Sequence, residues 1–165
     1  MKRRNFITSL SVLAPAALVA PDLLFASTSS RNPSVTDAGL LVIGAAEGEN
    51  PRLQNLLEQA NSKVTYLSKQ AVIVKSERTE TGFRLYTSDA VFVTGKIIID
   101  SPAEVNEPAK QIKLSNEGSD SSVSLCFSRK QKKDLAFISN SRSRINADDL
   151  RAFTQKKQPA LLLLS

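Results

Sequence analysis

The chain has 165 residues, of which 41% are hydrophobic and 23% charged, and a formal net charge of +6. That balance belongs to a polypeptide with one folded core rather than to a disordered or fibrous chain. It holds no histidine, no tryptophan and one cysteine. This excludes Ser-His-Asp and Cys-His nucleophile systems, His-liganded metals, and zinc or iron–sulfur sites built from cysteines.

The first feature in chain order is "MKRRNFITSL". Lys2, Arg3 and Arg4 make a positive start, Phe6 to Ala20 is moderately apolar, and "PDLLFASTSS" turns small and polar. This is the layout of an export signal. The apolar run is interrupted by Pro15 and falls short of the roughly 20 residues that span a bilayer. An amphipathic first helix competes with this reading, but Thr8, Ser9 and Ser11 leave no steady apolar face. "RRNFI" resembles the twin-arginine signal motif. Arg3 and Arg4 supply the pair, Phe6 the aromatic position, and Ile7 stands in for leucine. Lys2 and Thr8 depart from the usual Ser/Thr and Lys. The resemblance covers residues 1–26 and implies passage, already folded, through the export machinery of a bacterial cell to a periplasmic or extracellular location. A general secretory signal carrying two arginines is the alternative. Cleavage after Ala26 is preferred to cleavage after Ala20, and no cysteine follows to carry a lipid anchor.

The expected organisation is a signal peptide over 1–26, a flexible junction over 27–36, and a single domain over 37–165. "AGLLVIG" reads as a short buried strand. "NPRLQNLLEQANSK" reads as a helix capped by Asn50, with Pro51 at its first position and Leu53, Leu56, Leu57 and Ala60 on one stripe. "KVTYLS", "QAVIVKSE" and "FRLYTS" follow as strands, then "AVFVTGKIIID" as a long one with a kink expected at Gly95. "SPAEVNEPAK" breaks the pattern with two prolines. "QIKLS", "SVSLCFS" and "DLAFIS" are three further strands. "NADDLRAFTQKK" is a second helix, capped by Asn146 with Asp148 and Asp149 in its first turn. "PALLLLS" is a short buried strand or a docking tail. The fold expected from these elements is α+β: a mostly antiparallel β-sheet of about six to eight strands with two helices packed on it. The helix between the first strands is also compatible with one βαβ crossover.

Few residues point to chemistry. "GLLVIGAAEGENPRLQ" has the outline of a phosphate-binding turn, but the glycine spacing is wrong, and Glu47 and Glu49 would occupy the anion's place. The acidic pairs Glu47/Glu49, Glu117/Asp120 and Asp148/Asp149 lack the spacing of a calcium loop and read as caps and turns. No lysine follows a serine by three residues, so a Ser-x-x-Lys dyad is absent. Cys126 alternates with Val123, Leu125 and Phe127 and reads as a half-buried strand residue, with an intermolecular disulfide as the minor alternative. No catalytic residue, metal ligand or cofactor is expected.

The positive charge is concentrated late. Residues 129–165 carry nine basic and three acidic side chains, whereas 27–128 carry ten and twelve. Arg129, Lys130, Lys132, Lys133, Arg142 and Arg144 form the expected contact patch, together with the "ALLLLS" end. The alternative is a solvated hairpin turn. With no aromatic side chains interleaved, the patch is not suited to nucleic acid. The function expected is that of an exported, non-catalytic binding or accessory protein with a protein partner and no transmembrane segment after signal removal. The alternatives are a structural or surface-assembly subunit pairing through edge or terminal strands, and an enzyme built on carboxylates or lysines. Removal of Ala160–Ser165 is expected to separate the first two, abolishing oligomers only in the second.

Overall fold

Four apolar runs govern the architecture. Leu40–Ile43, Ile97–Ile99 and Leu161–Leu164 are continuous, with no polar residue between, and each is nearly free of solvent contact. A strand buried on both faces has such a run, and that is the environment of a parallel sheet covered on both sides. The fourth run, Leu53 to Leu57, is periodic and belongs to a helix.

The computed structural model describes residues 33–115, 122–128 and 135–165. They form ten strands and two helices, in the order β1(Ser34–Ile43), α1(Pro51–Gln59), β2(Val64–Leu67), β3(Ile73–Arg78), β4(Phe83–Thr87), β5(Ala90–Ile99), β6(Ala103–Asn106), β7(Gln111–Ser115), β8(Ser122–Cys126), β9(Ala136–Asn140), α2(Ala147–Thr154) and β10(Ala160–Leu164). The larger sheet has seven strands, with a spine β2-β1-β5-β10-β9. Every neighbouring pair along that spine is parallel. The β3–β4 hairpin joins antiparallel to β5. A separate small sheet, β6-β7-β8, is antiparallel.

The mostly antiparallel α+β expectation is therefore corrected: the chain is α/β, with a mostly parallel seven-stranded sheet and a small antiparallel one. The reason lies in the two crossovers. Strand–helix–strand units β1-α1-β2 and β9-α2-β10 each return parallel. The long-range pairings of β5 with β1 and β10 complete the parallel spine.

Two cores flank the spine. Leu40, Val42, Ile98, Ala160, Leu162 and Leu164 face one way and pack with Leu53, Leu57, Leu150 and Phe153 of the helices. Leu41, Ile43, Ile97, Ile99, Leu161 and Leu163 face the other way, onto Ile112, Leu114, Val123 and Leu125 of the small sheet and Phe83 and Leu85 of the hairpin. The result is three layers: helices, parallel spine, antiparallel cover. Cys126 is half-buried and its thiol donates to Ser128 O at 3.2 Å, as a strand residue with no partner cysteine.

Both helices begin where the sequence signals placed them. Asn50 Oδ1 accepts from Leu53 N at 3.1 Å, with Pro51 in the first turn. Asn146 and Asp149 form a reciprocal capping box. β1 begins at Ser34, so Ser34–Thr36 of the expected junction pair with Ala90–Phe92.

β5 changes partner midway. On one side it follows β1 throughout; on the other, β4 reaches as far as Thr94 and β10 takes over at Lys96. Gly95, where a kink was expected, sits at the handover. The buried Thr94 hydroxyl holds this point. It lies 2.7 Å from Gly39 O and 2.8 Å from Lys96 O, and accepts from Lys96 N at 3.1 Å. Thr94→Val keeps the shape and orphans these groups. Chemical denaturation of that variant is expected to show a loss of about 1–2 kcal/mol.

Candidate functional site

Parallel strands all point one way, so their carboxyl ends gather the loops at one edge, where open α/β sheets place their ligands. Ile43, Leu67 and Ile99 are register partners at this edge, Leu163 pairs Ile99, and Leu164 pairs Asn140. Loops after β1, β2, β5 and β9 therefore converge there.

Asp100, directly after β5, is the only acidic side chain among the buried described residues, at 5% exposure. Its backbone N–H donates to Ile43 O at 2.8 Å. Oδ2 accepts from Asn50 Nδ2 at 2.8 Å, and Oδ1 lies 2.7 Å from Arg142 Nε in an ion pair whose angle falls outside hydrogen-bond geometry. Asn50 thus caps α1 with its oxygen and holds Asp100 with its nitrogen. Arg52, in the first turn of the same helix, donates from Nη2 to Ser143 O at 2.9 Å and Ile145 O at 3.3 Å. Arg142 N donates to Ser165 O, and Arg144 N to Ser141 O. The turn from Ser141 to Arg144 is tied to α1, to the end of β5 and to the end of β10.

The Asp100–Arg142 pair has unequal burial. The arginine side chain is 47% exposed, so water partly replaces what it loses. The carboxylate is buried and has no such recourse. Arg142→Ala is expected to cost about 2 kcal/mol, by leaving a buried charge with one neutral partner. Asp100→Asn added to it should recover part of that cost, and a double-mutant cycle from thermal denaturation measures the difference.

The turn after β1 closes on itself. Ala46 N–H donates to Glu49 Oε2 at 2.8 Å, and Glu49 N to Ala46 O at 3.1 Å. The protein's own carboxylate takes the place a bound anion would fill. Nearby, burial first, then Glu47 and Glu58, push the Tyr66 phenol above its ordinary pKa, so it stays protonated at neutral pH. Asp149 serves the cap of α2, and Asp148 pairs with Arg151 at 3.2 Å. Among the described residues no three His, Cys, Asp or Glu side chains come together as a metal site requires.

Beside the Asp100 cluster, a cleft of about 250 Å³ opens between the carboxyl end of the spine and the small sheet. Its walls include Ile43, Ile73 and Leu114, and Ser68, Lys69 and Ser101 also line it. Gly44 lines it too, at φ +92°. A Cβ on Gly44 would run into Ser101 Cβ and lie 3.0 Å from Asp100 O.

No family model, curated protein or solved structure matches this chain.

Of the residues singled out in the sequence, Arg142 and Arg144 lie on the braced turn, both exposed. Arg129, Lys130, Lys132 and Lys133 lie outside the described residues, as do Arg3, Arg4, Phe6, Ile7, Glu117 and Asp120. The "ALLLLS" end is not a contact surface: β10 is buried throughout and paired on both edges, by β5 and β9. Sequence reasoning missed Asp100. The one signal available was its place directly after three isoleucines, where a charge closes an apolar strand. No helix among the described residues is long and apolar enough to cross a membrane.

Proposed function

We propose that the chain is an exported, non-catalytic binding or accessory protein, periplasmic or extracellular, whose contact surface for an acidic protein partner is the arginine turn at the carboxyl end of the parallel spine. The observation that carries this reading is the bracing of that turn. Arg52 and Arg142 fix its backbone and its base at 2.9 Å and 2.7 Å, while the Arg144 side chain is exposed and in no ion pair with the described residues. A fixed backbone presenting an exposed guanidinium lowers the ordering cost of an encounter with carboxylates. The same cluster argues against the carboxylate enzyme. Both oxygens of Asp100 are engaged, by Asn50 and by Arg142, which suits a structural clip rather than an acid or base.

The export arm rests on Arg3, Arg4, Phe6 and Ile7. Fractionation of cells expressing the tagged full-length chain, beside one carrying Arg3→Lys and Arg4→Lys, tests it. Retention of the variant in the cytoplasm supports twin-arginine export; unchanged export favours the general secretory route. Co-purification from the exported fraction, with and without Arg144→Glu, tests the contact surface. A partner that survives Arg144→Glu unchanged contradicts the assignment.

A further inference from the structure

The cleft beside Gly44 combines an apolar floor with a polar rim. Ile43, Ile73 and Leu114 are 6%, 2% and 3% exposed and give it an apolar floor. Ser68 and Ser101 line it, the Ser101 hydroxyl donating to Pro102 O at 3.2 Å. Among the described residues Lys69 is the only charged one that lines it, and it is exposed and in no ion pair with any of them. The neighbouring acid, Asp100, is turned to Arg142 and Asn50 and does not compete for the lysine. An apolar floor, polar rim and single fixed sign of charge are the ingredients of a small-ligand site. The volume, about 250 Å³, lies below the range of drug-sized pockets.

We infer that this cleft binds a short-chain organic monocarboxylate, its carboxylate at Lys69 and Ser68 and its alkyl chain on Ile43, Ile73 and Leu114. An ammonium ligand would meet like charge at Lys69, and a dicarboxylate would bring a second charge onto the apolar floor. A monocarboxylate satisfies both ends. The site is separate from the arginine turn, and the partner contact does not depend on it.

Amide shifts of the isotope-labelled full-length protein, titrated with hexanoate, hexan-1-ol and hexylamine, test the inference. Hexanoate is expected to saturate shifts at Gly44, Ser68 and Ser101 with a Kd on the order of 1 mM, the scale accessible to so few atoms. Lys69→Gln, an exposed change that leaves the floor intact, is expected to weaken hexanoate by about fivefold and leave hexan-1-ol unchanged. Hexylamine binding the same amides as tightly as hexanoate overturns the inference. So does hexanoate binding that Lys69→Gln does not alter, or a failure of hexanoate to saturate these amides at about twenty times the expected Kd.

Discussion

Deletion of Ala160–Ser165 is expected to unfold the protein. β10 lies between β5 and β9, and all five of its residues are buried. Its leucines divide between the two cores, Leu161 and Leu163 on one side and Leu162 and Leu164 on the other. At about 2 kcal/mol for each buried leucine, their loss approaches 8 kcal/mol, within the range of a whole domain's stability. The deletion also leaves the ladder groups of β5 and β9 without partners in the middle of the sheet, where solvent cannot reach them. A far-ultraviolet melt of the truncated chain should show no cooperative transition. A cooperative melt near the wild-type temperature would mean that β10 is not part of the spine. The truncation therefore does not separate a monomeric binding protein from an assembly subunit, because it removes the fold that either one needs.

Gly44→Ala is the single substitution expected to do most harm at the carboxyl edge. The residue has φ +92°, a conformation that costs an L-residue about 1–2 kcal/mol. Space is the second obstacle: the new Cβ meets Ser101 Cβ and the Asp100 backbone, with Asp100 O at 3.0 Å. Neither is the end of a flexible side chain, so β5 and the β1 loop must part. Moving Asp100 also weakens its ties to Asn50 and Arg142. The total is expected to reach about 3–4 kcal/mol by urea denaturation. Adding Ser101→Gly removes one obstructing carbon, and should return part of that loss while leaving the φ penalty. Equal stability of Gly44→Ala and wild type would contradict the close approach of the two loops.

How far the sequence foretold this fold can be judged element by element. Asn50 with Pro51 and Asn146 with Asp149 signal helix starts through local hydrogen bonds, and local signals survive in sequence. The Val123/Leu125 alternation likewise marked an antiparallel strand with one face in the core. The parallel spine was harder. "LLVI", "III" and "LLLL" state burial on both faces, yet nothing local says which strands neighbour one another; β5 meets β1 and β10 only through the tertiary fold. Weighing those uninterrupted runs as parallel strands, rather than counting the strand-like segments, would have turned the expectation from antiparallel to parallel. β6 escaped because Pro102 and Pro108 flank it and three of its four residues are exposed, so it has little apolar pattern. The site was legible in part. Arg142 and Arg144 stand out by charge, but the partner that fixes Arg142 is Asp100, distant in the chain and ordinary in its local sequence.

That pairing also sorts the basic residues by role. Arg142 and Arg52 spend donors on the protein itself, whereas Arg144 keeps its guanidinium exposed and in no ion pair with the described residues. Charge counting alone treats Arg142 and Arg144 as equal contributors to one patch. The geometry makes Arg142 and Arg52 supports and leaves Arg144 as the proposed contact.

Site-specific photo-crosslinking from the exported full-length chain tests the contact surface most directly. A crosslinker is placed at Ser143, exposed on the braced turn, or at Glu80, exposed beside Pro159 at the amino end of β10. An adduct with an acidic protein is expected from Ser143 and none from Glu80, with loss of that adduct when Arg144→Glu is added. Equal adducts from both positions, or an adduct from Ser143 indifferent to Arg144→Glu, would contradict the assignment.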